Sequence, residues 1–263
     1  MKAGLALLVA LTAALPATAQ ARRAPLGERY GEGEKMYINF VVAKHARLRS
    51  FALGILPGGP CAAGNRLPPL KSVRLTRRGT FRYSADLGIE KLTLRGRVGT
   101  HGRFSGTYRA ELASLGGGPR CKTGTLRWTA GPVTRVAVKD GPWHGTSQSG
   151  GPVTFTVIKG GRLINDASVD AQPRCSDGQS TNAGNGHFDI FGGSIFIKPD
   201  GSFSTPAGIE DDGLPPGAFA GRFSGPAAMT GTLTALSEVE RSQDGSVSRS
   251  CGVQNAPFSA SAG

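Results

Sequence analysis

The sequence predicts an all-β protein of two tandem antiparallel domains, each a β-barrel or a β-sandwich. Three observations lead there. A glycine-patterned phrase occurs twice: Leu94-Arg95-Gly96-Arg97-Val98, Gly106-Thr107-Tyr108-Arg109-Ala110 and Cys121 return as Phe219-Ala220-Gly221-Arg222-Phe223, Gly231-Thr232-Leu233-Thr234-Ala235 and Cys251. Apolar and polar residues alternate along these segments with a period of two, the pattern of half-buried strands. Finally, 40 glycines and 17 prolines punctuate the 263 residues, which suits many short strands joined by turns. No stretch carries the apolar period of an amphipathic helix.

In chain order, Lys2, the apolar run 5–15 and the small residues Ala17-Thr18-Ala19 read as an export signal over 1–21. Ala19-Gln20-Ala21 is an equivalent cleavage site, so the expected mature chain begins at Gln20 or Arg22. The run is too short to span a membrane, and no other long apolar run follows. The roughly 240 residues left suit two domains of ordinary size. They divide into a basic domain over 22–130, a linker over 131–141 and an acidic domain over 142–263. An exported protein, periplasmic or extracellular and without a transmembrane segment, is the expectation.

The two copies align in blocks. Ile38-Asn39-Phe40-Val41-Val42 matches Val153-Thr154-Phe155-Thr156-Val157 at an offset of 115, and Lys44, Arg47 and Leu48 match Lys159, Arg162 and Leu163 at the same offset. The glycine phrase matches at 125, so the second copy carries about ten more residues, placed mostly between Cys175 and Gly201. Strands are predicted over 47–55, 72–75, 80–84, 90–98, 104–112 and 123–129. In the second copy they fall over 153–157, 163–169, 194–198, 219–223, 230–236 and 253–260. Gly160-Gly161 predicts a two-residue hairpin, where positive φ is permitted; the first copy has His45-Ala46 there. Gly96 and Gly221, inside strands, predict bulges or tight bends.

Four cysteines, Cys61, Cys121, Cys175 and Cys251, allow three disulfide pairings. The repeat selects Cys61–Cys121 and Cys175–Cys251, one bridge per copy. In the chain-entropy picture each long loop closed this way contributes ~4 kcal/mol. No C-x-x-C spacing exists and the histidines do not gather beside the cysteines, which argues against zinc.

Charge is split between the copies. Residues 22–139 hold 23 basic and 6 acidic residues, a net +17, whereas 140–263 hold 7 and 12, a net −5. Strand parity places Lys91, Arg95, Arg97, Arg103 and Arg109 on the solvent face of one sheet, and Arg74, Arg77, Arg78 and Arg82 extend the patch through a turn. Such a surface attracts phosphate, sulfate or carboxylate polymers. Two other readings stand beside it: arginine used as a generic surface residue, and docking of the basic copy against the acidic one. Export argues against nucleic acid, and the nearby aromatics have core parity, unlike base-stacking platforms.

Chemistry finds little to hold on to. His45 and His101 fall at predicted turns, His144 beside Trp143 and His187 in the longer loop; none is expected to be catalytic. Gly145-Thr146-Ser147-Gln148-Ser149-Gly150 lacks the spacing and context of a nucleophile elbow. Glu210-Asp211-Asp212-Gly213 lacks the alternating ligands of a calcium loop. Matched positions in the copies are Gly, Phe, Thr, Leu, Arg and Cys, which are structural residue types. No metal and no cofactor is expected.

An aromatic and a glycine at the module start (Trp143, Gly145), the V-x-F-x-V strand, Cys175, Gly201–Phe203, Gly221–Phe223, Gly231-Thr232 and Cys251 make a composite pattern. In it the chain resembles exported bacterial proteins built from a disulfide-stapled, glycine-patterned β module. The resemblance covers both copies and implies no particular activity or ligand. The functional expectation is a non-catalytic binding or envelope-associated protein whose basic module contacts an anionic glycan, lipid headgroup or cell-wall polymer. The alternative is a small-ligand-binding barrel or a hydrolase with a pocket in one module.

Overall fold

The computed structural model describes residues 24–33, 35–55, 61, 72–86, 88, 90–113, 120–178, 186–190, 194–206, 217–244 and 246–263. The stretch 1–21, expected to be an export signal, and the Glu210–Gly213 cluster lie outside them. The protein is all-β, with two sheets, one curled into a nearly closed barrel and the other into a half-barrel. No helix among the described residues is long and apolar enough to cross a membrane.

The first sheet contains β1 (Gly27–Glu32), β2 (Met36–Ala43), β3 (Arg47–Ile55), β4 (Val73–Arg74), β5 (Thr80–Asp86), β6 (Glu90–Val98), β7 (Phe104–Leu112), β8 (Cys121–Lys122) and β9 (Leu126–Pro132). Their order is β4-β3-β2-β1-β9-β7-β6-β5, with β8 beside β7. The second contains β10 (Gly141–Ser147), β11 (Pro152–Ile158), β12 (Leu163–Ala171), β13 (Arg174–Cys175), β14 (Gly186–Asp189), β15 (Ile195–Phe196), β16 (Ser202–Pro206), β17 (Ala218–Phe223), β18 (Ala228–Arg241) and β19 (Val247–Ala262). Its order is β14-β12-β11-β10-β19-β18-β17-β16, with β13 on β19 and β15 on β12. The edge strands β4 and β5 are joined by a tight turn, Gly79 N–H donating to Thr76 O at 2.9 Å, so the first sheet must curl back on itself. Its inward side chains accordingly form one core, with Phe40, Leu48, Leu94, Phe104 and Trp128 in contact across the layer. Trp143, Phe155, Phe219, Phe223 and Phe258 fill the second core.

β3, β6 and β7 occupy the predicted residues. β1, β8, β10, β13, β14 and β16 were not predicted, and β9 and β10 take residues from both ends of the 131–141 linker. The Gly160-Gly161 hairpin is longer than two residues, because Ile158 pairs with Leu163 and four residues make the connection. Lys159, Gly160 and Gly161 all take positive φ there; between β2 and β3 Ala43 pairs with Arg47, so three residues make the connection, and His45 and Ala46 take positive φ without glycine.

Gly96 and Gly221 do not mark bulges. Gly96 pairs directly with Gly106, and Gly221 with Gly231, in unbroken register. Each glycine pair is the centre of a four-strand row: Phe81–Gly96–Gly106–Trp128 in one sheet and Phe203–Gly221–Gly231–Phe258 in the other. The rings lie over the glycines. A Cβ at Gly96 would stand 2.5 Å from the Phe81 ring, and one at Gly231 2.4 Å from Phe258. Glycine therefore makes room for aromatic side chains from the flanking strands, a packing device known from curved sheets. Register shifts sit elsewhere: at Asn39/Val41 against β3 and at Thr154/Thr156 against β12, where Ser50 and Asp166 take positive φ, and at Leu233/Ala235, Leu236/Glu238 and Glu240/Arg241 against β19.

The disulfides are Cys61–Cys121 and Cys175–Cys251, the pairing chosen from the repeat. Cys175 and Cys251 face each other across β13 and β19.

The two sheets dock through a small buried contact. Tyr37 and Ala52 on the outer face of β2 and β3 meet Leu163 and Phe196. Tyr37 and Phe196 stack with centroids 4.7 Å apart. Arg135, in the linker, donates to both Glu28 carboxylate oxygens at 2.6–3.0 Å and to the Ile197 carbonyl at 2.7 Å. Arg162 reaches Glu28 at 3.3 Å, and Lys198 reaches Glu32 at 2.9 Å. The acids of this interface belong to the basic domain, while the bases come from the linker and the acidic domain. None of the arginines over 74–109 takes part in these ion pairs, so docking does not use the basic patch.

Candidate functional site: an arginine-bearing sheet face

The outer face of β5, β6, β7 and β9 is a register-matched grid. One row reads Arg82, Arg95, Thr107, Arg127; the next reads Thr80, Arg97, Ser105, Thr129. A third joins Ser84, Thr93 and Arg109, whose Nε donates to Thr125 Oγ1 at 2.5 Å. The inward partners Phe81, Leu94, Tyr108 and Trp128 are buried, which fixes the opposite parity for the cations. All five arginines are exposed, hydroxyl side chains stand between them, and no carboxylate occupies these three rows.

Carboxylates appear only in the next row out. There Lys91 pairs with Asp86 at 3.0 Å and Lys122 with Glu111 at 3.8 Å. The hydrogen bond from Lys91, helped by the Gly88 amide, holds the Asp86 carboxyl below its ordinary range. Of the nine predicted cations, Lys91 is the one with an ion-pair partner among the described residues. Arg77 and Arg78 are exposed in the turn that leads into Thr80, and Arg103 is exposed where the chain enters β7. Arg74 lies on β4 directly opposite Arg47. The signal for the interleaved hydroxyls was available, since Thr80, Thr93, Ser105 and Thr107 share the arginines' strand parity.

Net charge overstates the surface. Arg29 is buried and spends its guanidinium on the carbonyls of Gly102, Glu28 and Pro25 at 2.7–2.9 Å. Arg135 belongs to the interface.

Elsewhere the candidates for chemistry resolve into structure. Ser147 Oγ, in the elbow-like segment, donates to the Asp170 carbonyl at 2.7 Å inside the fold. His187 lies on β14, its Nδ1 2.5 Å from Asp170 and its Nε2 3.1 Å from Asp189. The Asp170 hydrogen bond raises its pKa above the ordinary value, and the ring remains solvent-exposed. Among the described residues no group of His, Cys, Asp or Glu is arranged to hold a metal ion.

Both cores are packed. A recess of about 740 Å³ opens over the Cys175–Cys251 bridge, rimmed by Gln148, Gln172, Arg174, Ser250 and Gln254. Among the described residues, its lining holds no histidine or carboxylate. A comparison with protein-family models and with curated proteins finds no match, so the arginine grid carries the functional argument on its own geometry.

Proposed function

We propose that this is an exported, non-catalytic protein built from one β module in two copies, and that its first copy binds an anionic polymer of the cell envelope. The observation that carries this reading is the grid of Arg82, Arg95, Arg97, Arg109 and Arg127, with hydroxyls between them and no acid among them. A structural surface would ordinarily intersperse both signs, as the Asp86–Lys91 row does. Guanidinium forks suit oxyanions, and the lack of exposed aromatics in the grid argues against a stacked ligand. The two disulfides fit an oxidising compartment.

The test is binding to immobilised dextran sulfate across a salt series. Multivalent electrostatic contact predicts a steep fall, about tenfold or more between roughly 0.05 and 0.2 M salt. Replacing Arg95, Arg97 and Arg127 with glutamine should abolish retention while leaving the circular dichroism spectrum unchanged. Retention indifferent to salt sinks the reading. The recess over Cys175–Cys251 supports a second reading, a small polar ligand held in the acidic module. Its mark is saturable binding that survives the three glutamine substitutions.

A further inference from the structure

Arg82 and Arg95 are directly opposed across β5 and β6, and Arg47 and Arg74 are directly opposed across β3 and β4. Side chains at such positions start only about 5 Å apart, and like charges placed there repel. No carboxylate among the described residues relieves either pair: Arg47 donates to Ser72 Oγ at 2.8 Å, and Arg82 and Arg95 have no ion-pair partner. β4 and β5 are the two edges that the turn over 75–79 brings together, so the pairs flank the same seam of the first sheet.

We infer that each pair is a two-fork clamp for a tetrahedral oxyanion, so the polymer class is one bearing sulfate or phosphate esters. This rests on the polymer-binding reading above and narrows it. The distinction is one of valence and shape. A carboxylate holds its lone pairs in one plane, so two forks can grip it only if both guanidiniums lie in that plane. A sulfate or phosphate ester presents several oxygens in three dimensions, enough for two forks approaching from neighbouring strands. The ester also brings the counter-charge that the opposed arginines lack. Thr107, which follows Arg95 in its row, adds a hydroxyl donor at the site's edge. Two clamps on one seam match a polymer that repeats the ester along its length, and Arg77 and Arg78 line the turn between them.

The experiment compares dextran sulfate with carboxymethyl dextran of equal length and charge density, at one ionic strength, for the full chain. The quadruple variant Arg47→Lys/Arg74→Lys/Arg82→Lys/Arg95→Lys keeps the charge and removes the forks of both clamps. The clamp predicts that the native protein prefers the sulfated polymer by about tenfold or more, the scale of one charge-assisted hydrogen bond. It also predicts that the lysine variant loses this preference while still binding both polymers. Equal binding of the two polymers by the native protein, or an undiminished preference in the lysine variant, overturns the clamp and leaves polymer binding standing. Binding to neither polymer, with no capture by phosphatidylglycerol vesicles either, overturns both. Phosphatidylglycerol vesicles provide the remaining arm: capture by vesicles without capture by dextran sulfate assigns the oxyanion to a lipid headgroup and overturns the polymer.

Discussion

Replacing Arg135 with alanine is expected to cost about 3–5 kcal/mol, the scale for removing one partner from a buried ion pair. Both side chains are nearly sealed off, Arg135 at 10% exposure and Glu28 at 9%. Without Arg135 the Glu28 carboxylate stays in the interface with only Arg162, at 3.3 Å, and the Asn39 amide to face it. The carbonyl of Ile197 loses its donor as well. Because Arg135 ties the linker to both sheets, the loss should appear as decoupling. Urea unfolding should change from one transition to two, and an unaltered single transition would contradict the structure. Burial pushes the Glu28 carboxyl up, but the hydrogen bonds and charge of Arg135, with Asn39 and Arg162, hold it below its ordinary 4.5. A depressed pKa stabilises the fold above the unfolded value and loses that contribution as pH falls through the folded one. Acid that takes the solution below the ordinary carboxylate range should therefore loosen the interface in the native protein and have a smaller effect on Arg135→Ala.

The second large effect is expected at Gly106. A valine there would place its Cβ 1.9 Å from the Arg95 carbonyl oxygen and 2.4 Å from the Trp128 ring. The backbone of β6 cannot give way without breaking its register with β7, so the substitution should destabilise by about 3 kcal/mol or more. Gly231→Val tests the matching row, with contacts of 2.5 Å to the Ala220 carbonyl oxygen and 2.4 Å to Phe258. Gly131→Ala is the control, since nothing lies within 4 Å of its added carbon; its midpoint should move by less than about 0.5 kcal/mol. Equal effects at Gly106 and Gly131 in thermal unfolding would mean that the ring-over-glycine row does not govern packing.

Much of this architecture was legible because it is written in period two. The alternation of Leu92, Leu94 and Val98 with Lys91, Arg95 and Arg97 placed β6 and turned its cations outward. Matched cysteine positions selected the disulfides. Other features leave no such trace. β1 reads Gly-Glu-Arg-Tyr-Gly-Glu, and its burial comes from the partner sheet and from Arg29, not from apolar residues of its own. β2 is buried on both faces at Tyr37 and Asn39 because the second sheet covers its outside, a contact distant in sequence. The positive φ of Ser50 and Asp166 lacks the glycine that would have announced it. Arg135 stands in a stretch that reads as an ordinary linker, and only the two sheets together give its guanidinium partners. At the candidate site, parity located each arginine singly; the opposition of Arg82 to Arg95 needed the register.

The docking contact lies on β2 and β3, and the arginine grid is centred on β6 and β7, with β1 and β9 between them in the sheet. A polymer held by the grid thus meets one flank of the molecule while the second domain, net −5, projects from another. Were the proposed binding to coat a strand, it would present a negative exterior. On the polymer-binding proposal, each bound molecule should discourage a further layer, so that coverage stops at a single shell and the coated polymer stays dispersed where a uniformly cationic protein would bundle it into a precipitate.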